Sequence, residues 1–136
     1  SRREIDPDYA FDKEITSFSD GYPILLVGQS SLDHLNAQLQ QPLSIDRFRP
    51  NIVFSGGAPH QEDEMKSFEI NGVSMLGVKP CGRCVMTTID QATGVAGQEP
   101  LATLSQYRKR NNKIYFGQNV IPKSFGMIKV GDTISA

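Results

Sequence analysis

Residues 67 to 76 read Ser-Phe-Glu-Ile-Asn-Gly-Val-Ser-Met-Leu, two alternating stretches on either side of Asn71-Gly72. Asn and Gly both tolerate positive φ, as a two-residue type I′ turn requires, so the segment predicts a β-hairpin. Alternation of this kind commits its neighbourhood to a sheet with one buried face. The remaining apolar runs are short as well. Residues 22–28 form an apolar run ending in Gly28 and predict a buried strand; within residues 48–54, Asn51-Ile52-Val53-Phe54 is strand-like and is broken by Ser55-Gly56-Gly57-Ala58-Pro59. Residues 85–89 predict a strand leading into the turn 90–94, and residues 126–134 predict a strand, a turn and a strand. Two helices are predicted. In residues 30–39, Leu32, Leu35 and Leu39 share one face, Ser30 or Ser31 suits the N-cap and Pro42 stops the helix. In residues 100–107, Pro100 suits the first turn and Glu99 the positive end. Six to eight strands and two helices predict a mainly β, α+β domain with turn spacings of a β-barrel and a few short helices.

A chain of 136 residues fits one core. Net charge is −1 and pI about 6.1, so neither a nucleic-acid coat nor a basic membrane-surface protein is expected. The longest apolar run is too short to span a bilayer, and the N-terminus has no apolar signal region. The chain opens at Ser1 without an initiator Met and reads as a piece of something longer. Residues 1–19 are expected to be a connecting or edge segment from a missing N-terminal domain, with the domain proper at 20–136.

The chemistry concentrates in Pro80-Cys81-Gly82-Arg83-Cys84. A thioredoxin-type dithiol would need a helix start after the pair, and the residues that follow look like a strand. A structural zinc site would need four ligands, and only His34 and His60 remain, without zinc-finger spacing. A reactive or metal-bound thiolate is the third reading: Arg83 beside Cys84 would favour the anion, and thiolate suits a soft metal. Two small residues in a loop is the plain alternative. Phe48-Arg49-Pro50-Asn51 offers a guanidinium fork for phosphate and an amide that both donates and accepts; an Arg solvating a strand edge is the plain alternative. Thr87, Thr88 and Asp90 could bond a polar ligand along a strand. Residues 107–113 form a basic cluster, expected to solvate a helix end, with anion binding or partner docking as the other reading. His34 and His60 have no nucleophile partner in sequence, so no hydrolytic triad is expected.

The ordered set of Phe48-Arg49-Pro50-Asn51, Pro80 to Asp90, Thr93-Gly94, Glu99-Pro100 to Arg108, Phe116-Gly117-Gln118-Asn119 and Gly126 to Asp132 resembles the MOSC domain (molybdenum cofactor sulfurase C-terminal). The likeness runs from about Asp20 to the end. It is closest to the branch of the mitochondrial amidoxime-reducing component and its bacterial, ferredoxin-fused relatives. The resemblance implies a β-barrel-based domain that binds the molybdopterin form of the molybdenum cofactor. It implies Cys84 as the thiolate ligand of molybdenum and the catalytic residue. It implies Arg49 and Asn51 as cofactor-binding residues, joined by Arg83, Thr87, Asp20 and Asn119. It implies reduction of N-hydroxylated small molecules with electrons from a ferredoxin or haem protein or domain, and a 2Fe-2S cluster in a missing domain of the parent chain. It also implies a missing N-terminal MOSC-associated β-barrel domain that shares the cofactor site. A sulfur-carrier or cofactor-delivery role through a Cys84 persulfide has nearly the same sequence needs. The family is also associated with pyridoxal phosphate, for which no lysine here stands out as a Schiff-base residue. A cytoplasmic location is expected.

Overall fold

The computed structural model describes residues 4–5, 15–18, 21, 23–90 and 92–135. Its strands are β1 (Glu4–Ile5), β2 (Ile15–Phe18), β3 (Ile24–Gly28), β4 (Ile52–Phe54), β5 (Ser67–Ile70), β6 (Val73–Arg83), β7 (Lys109–Arg110), β8 (Lys113–Pro122), β9 (Gly126–Lys129) and β10 (Ile134–Ser135). Helix α1 (Gln29–Asn36) follows β3, α2 (Leu101–Leu104) precedes β7, and 3₁₀ turns cover Ile45–Phe48, Gln61–Glu64 and Val85–Thr88. The main sheet runs β1-β10-β5-β6-β8-β3-β4, with β7 pairing β8 beside this path; β2 and β9 form a second small sheet. The chain is mainly strand with few short helices, as a barrel-like α+β domain requires.

The hairpin forms where the alternation demands it. β5 and β6 pair antiparallel across Asn71 and Gly72, whose φ values are 49° and 78°. Its inward residues Phe68, Ile70, Val73 and Met75 join Ile24, Leu26, Ile52, Phe54 and Val120 in the larger core. β3 is apolar throughout because both its faces are covered. Ile24 and Leu26 enter that core, while Val27 turns to a second one with Leu32, Leu35, Phe48, Leu104 and Phe116. Helix α1 lies over this second core and carries the chain from β3 to its parallel neighbour β4.

Several expectations need correction. The helix begins at Gln29, with Gly28 at the N-cap and no cap from its own side chains. The carboxylate of Glu62 does that work from a distant turn, accepting from Gly28 N at 2.9 Å and from Ser31 Oγ at 2.8 and 2.9 Å. The strand-like stretch 51–54 forms β4 at Ile52–Phe54, just after Phe48 closes a 3₁₀ turn and Arg49 adopts φ 50°. The strand expected at 85–89 is instead the 3₁₀ turn Val85–Thr88. The ladder has run out there: Arg83 already pairs with Ile114, almost the first residue of β8. Thr87 closes the turn, its N and Oγ1 donating to the Cys84 carbonyl at 3.2 and 2.9 Å. The basic cluster does not end a helix. It forms a hairpin, β7–β8, turned at Asn111 and Asn112 with φ 51° and 64°. The strand, turn and strand expected at 126–134 form as β9 and β10, with β9 pairing β2 and β10 lying between β1 and β5.

At Gly77 the sheet bulges, and a Cβ there would collide with the Met65 carbonyl oxygen, while Gly77 N donates to Lys66 O at 2.9 Å. Gly77→Ala is therefore expected to lower stability by about 3 kcal/mol, read by urea or thermal unfolding. Unchanged stability would contradict this packing of the Met65 turn on β6.

Candidate functional site

β6 ends at Arg83, so Cys84 stands just past the end of the longest strand, exposed, at the entry to the 3₁₀ turn. Cys81 is half-buried three residues earlier, with its thiol toward the Gly82 carbonyl at 3.7 Å. Arg83 between them is tied down on both sides. Its Nε donates to Phe116 O at 2.9 Å and its Nη1 to Phe48 O at 3.1 Å, and the guanidinium lies 5.3 Å from the centre of the Phe48 ring. The Phe48 and Phe116 rings stack at 4.1 Å beneath it. Nη2 is out of solvent with no partner among the described residues. Burial pushes the Arg83 pKa down from its ordinary value, and the neighbouring thiols of Cys81 and Cys84 oppose that push. An Arg stays charged through such a shift, so a cation is fixed beside both sulfurs.

A second segment is laced to this one. Arg47 Nη1 donates to Thr87 O at 3.3 Å, and its Nη2 lies 3.8 Å from Asp90 Oδ2. With the Arg83–Phe48 bond, these contacts place Arg47-Phe48-Arg49 against Arg83 to Asp90, although the two stretches are far apart in sequence. Arg49 is exposed at the end of its turn. The fold thus brings Cys84, Arg83, Thr87 and Arg49 into one neighbourhood. Thr87 is 4 % exposed and spends its hydroxyl on the Cys84 carbonyl, so it shapes the turn that carries the thiol.

Asn51 and Asn119 both lie beside Leu25 of β3. Asn51 Oδ1 accepts from Leu25 N at 2.7 Å and its own N donates to Leu25 O at 2.9 Å, which pins the start of β4 to β3. Asn119 is opposite Leu25 on one side and Lys79 on the other. Lys79 is five residues before Cys84, so Asn119 is set back by roughly 15 Å along the strand. Asp20 lies outside the described residues.

Among the described residues no group of three or more His, Cys, Asp or Glu side chains could enclose a metal ion. A metal at Cys84 would be held by one protein thiolate and by ligands that arrive with it. The surroundings suit an anionic, polar group of that kind: an exposed soft sulfur, the exposed Arg49, and the fixed positive charge of Arg83. A cavity of about 690 Å³ opens beside the same turn, with Thr88, Asp90, Arg47, Gln38, Gln41 and Gln98 among its lining residues. That volume suits a small molecule.

The sequence reading missed a cluster on the other side of Phe116. The rings of His34, His60 and Tyr107 meet edge to face, at centroid distances of 5.4 to 6.2 Å, and His60 also meets Phe116 at 5.7 Å. Arg108 pairs with Asp63 at 2.6 Å next to them. These residues come from α1, the Gln61–Glu64 turn and the chain after α2, so no local spacing announces them. Burial, then Arg108 and His34, lower the His60 pKa from 6.5 to about 4 against the opposing pull of Asp63. Folded protein therefore keeps His60 neutral where unfolded chain would protonate it, and this group's contribution to stability falls as pH drops from about 6.5 toward 4. His60→Phe is expected to remove that component. The stability of the variant relative to the parent should rise between pH 7 and pH 4.5 in urea unfolding. A difference that does not move with pH would contradict a neutral, buried His60.

The family model described as the MOSC domain matches residues 13–135. The chain is 38% identical over 131 residues to human mitochondrial amidoxime-reducing component 1, covering 90% of this chain and 39% of that protein. It is 38% identical over 105 residues to the molybdenum cofactor sulfurase of Oryza sativa, covering 69% of this chain and 13% of that protein. The chain thus spans about two fifths of the amidoxime-reducing relative. The solved YuaD protein of Bacillus subtilis superposes with a TM-score of 0.68 at 12% identity, over 99% of this chain and 96% of that one, a likeness of fold.

Proposed function

Because this chain belongs to the MOSC domain family, we propose that it is the molybdenum-cofactor-binding domain of an oxidoreductase that reduces N-hydroxylated compounds, with Cys84 as the thiolate ligand of molybdenum. The observation that carries the reading is the exposed Cys84 on a turn held by Arg83, with Arg49 on the apposed segment. A molybdenum link at the level of the family accords with the sulfurase relative, and a reductase with the names of the amidoxime-reducing relatives.

In this reading Cys84 Sγ meets the metal, and Arg49 meets the phosphate of the cofactor as a charge-assisted pair. Arg83 holds the strand end so that the thiol is fixed in place. Thr87 sets the turn; Asn51, Asn119 and Asp20 are more distant contributors. When bound, the cofactor supplies the oxygen-atom and electron chemistry that no side chain of this domain provides. The N–OH of the small-molecule substrate becomes N–H and water as two electrons and two protons are consumed. The electrons come from a ferredoxin or haem protein or domain, including a 2Fe-2S cluster elsewhere in a longer chain. An N-terminal β-barrel domain completes the cofactor site. A cytoplasmic location belongs to the same proposal. Among the described residues no helix is long and apolar enough to cross a membrane.

The sulfurase relative favours a second reading, a sulfur-carrier or cofactor-delivery domain that uses a Cys84 persulfide without turnover of its own. Assay of the full-length protein with an N-hydroxylated substrate and an electron donor separates the two. Reductase function predicts molybdenum-dependent turnover that Cys84→Ser abolishes, with Cys81→Ser retaining it within about tenfold. Full activity in Cys84→Ser would remove the assignment, and cofactor binding without any turnover would favour delivery.

A further inference from the structure

From residue 100 to residue 131 the chain has no Asp or Glu, yet carries six of its 14 Lys and Arg. Arg108 is neutralised by Asp63. Lys109, Arg110 and Lys113 are not paired among the described residues and are exposed together at the tip of the β7–β8 hairpin. Arg110 and Lys113 are direct cross-strand partners. Like charges in that position weaken a hairpin, so folding alone does not account for them. A cation–π contact of Arg110 with Tyr115 at 5.2 Å offsets part of the repulsion and holds the guanidinium in place.

The position of this tip matters more than its charge. β8 carries it directly alongside the end of β6, where Ile114 pairs with Arg83 and Tyr115 with Gly82. A Cβ on Gly82 would lie 3.9 Å from Lys113 Cδ, so the Lys113 side chain runs past the residue between the two cysteines. Arg49 is exposed on the apposed turn. In a chain of net charge −1, the exposed Cys84 therefore has a cationic rim on the sides of the β7–β8 hairpin and of the Arg49 turn. A rim of one sign around a redox centre steers a partner of the opposite sign and orients it.

We propose that the β7–β8 hairpin, through Lys109, Arg110 and Lys113, is the docking surface for an acidic electron-donor protein, which it seats with its redox group toward Cys84. This rests on the reading of the parent chain as a reductase fed by a protein donor. The partner's carboxylates replace the counter-charges that the hairpin lacks. The tip projects from the sheet on a two-residue turn, so it meets a convex protein surface without disturbing the core.

The test measures docking alone and needs neither molybdenum nor the thiol, so its outcome stands apart from that of the turnover assay. Full-length protein carrying Cys84→Ser is titrated with an acidic plant-type 2Fe-2S ferredoxin, between about 0.02 and 0.3 M salt. Binding should weaken steeply with salt. The triple variant Lys109→Glu, Arg110→Glu, Lys113→Glu should bind at least about tenfold more weakly, whereas a charge-matched control, Lys66→Glu, Lys123→Glu, Lys129→Glu, should bind within about twofold of the parent. Circular dichroism melting checks that both variants fold. Absence of ferredoxin binding, equal binding by the hairpin variant, or equal loss in both variants would overturn the proposal. So would a basic cytochrome c binding as tightly as ferredoxin, or a single-stranded oligonucleotide binding the hairpin more tightly than either.

Discussion

The two hydrogen bonds of the Arg83 side chain hold the site together. One guanidinium reaches the Phe116 carbonyl on β8 and the Phe48 carbonyl on the 3₁₀ turn before β4, and lies over the Phe48 ring. Hydrogen bonds from a charged donor contribute about 1.5–3 kcal/mol each, more than a neutral pair. Lysine cannot reproduce the arrangement, because it has no planar fork to reach two carbonyls at once. Without that tie the end of β6 would keep its ladder pairs with Tyr115 and Ile114, but would lose its direct link to the Phe48 turn. Burial of the cation works against its charge, and the sulfurs beside it work in favour. Structure and chemistry thus meet on one side chain: the group that fixes the thiol in place also supplies a positive charge next to it.

The two cores explain why this tie is placed where it is. β3 is apolar on both faces because one meets the barrel interior and the other meets α1. The Phe48–Phe116 stack closes the second core at the end nearest Cys84. Glu62 closes the opposite side, buried and capping α1, with its pKa raised by burial and held back by the bonds from Gly28 and Ser31. His60 packs edge to face on Phe116, so the stack that carries Arg83 is part of a larger aromatic layer.

Much of this was legible in the sequence, for reasons that can be named. The Asn71-Gly72 hairpin and the β3 strand follow from local pattern, and Leu32 and Leu35 mark the buried face of α1. The MOSC likeness came from the order of motifs, which no single segment carries, and the family match bears it out. What could not be read depends on neighbours distant in the chain. Residues 85–89 have strand composition, yet they turn because β8 offers no further edge. The cap of α1 comes from Glu62, beyond any helix-start signal. His34 and His60 look isolated until the fold stacks both on Tyr107. Nothing in the sequence announces the bonds of Asn51 to Leu25, which pin β4 to β3.

The central claim is that Cys84 supplies the single protein sulfur to molybdenum. Molybdenum K-edge X-ray absorption on the full-length, cofactor-loaded protein tests it most directly. The account predicts that Cys84→Ser has one sulfur neighbour fewer at the metal than the parent, whereas Cys81→Ser has the same shell as the parent. An unchanged sulfur shell in Cys84→Ser, or its loss in Cys81→Ser, would contradict the account.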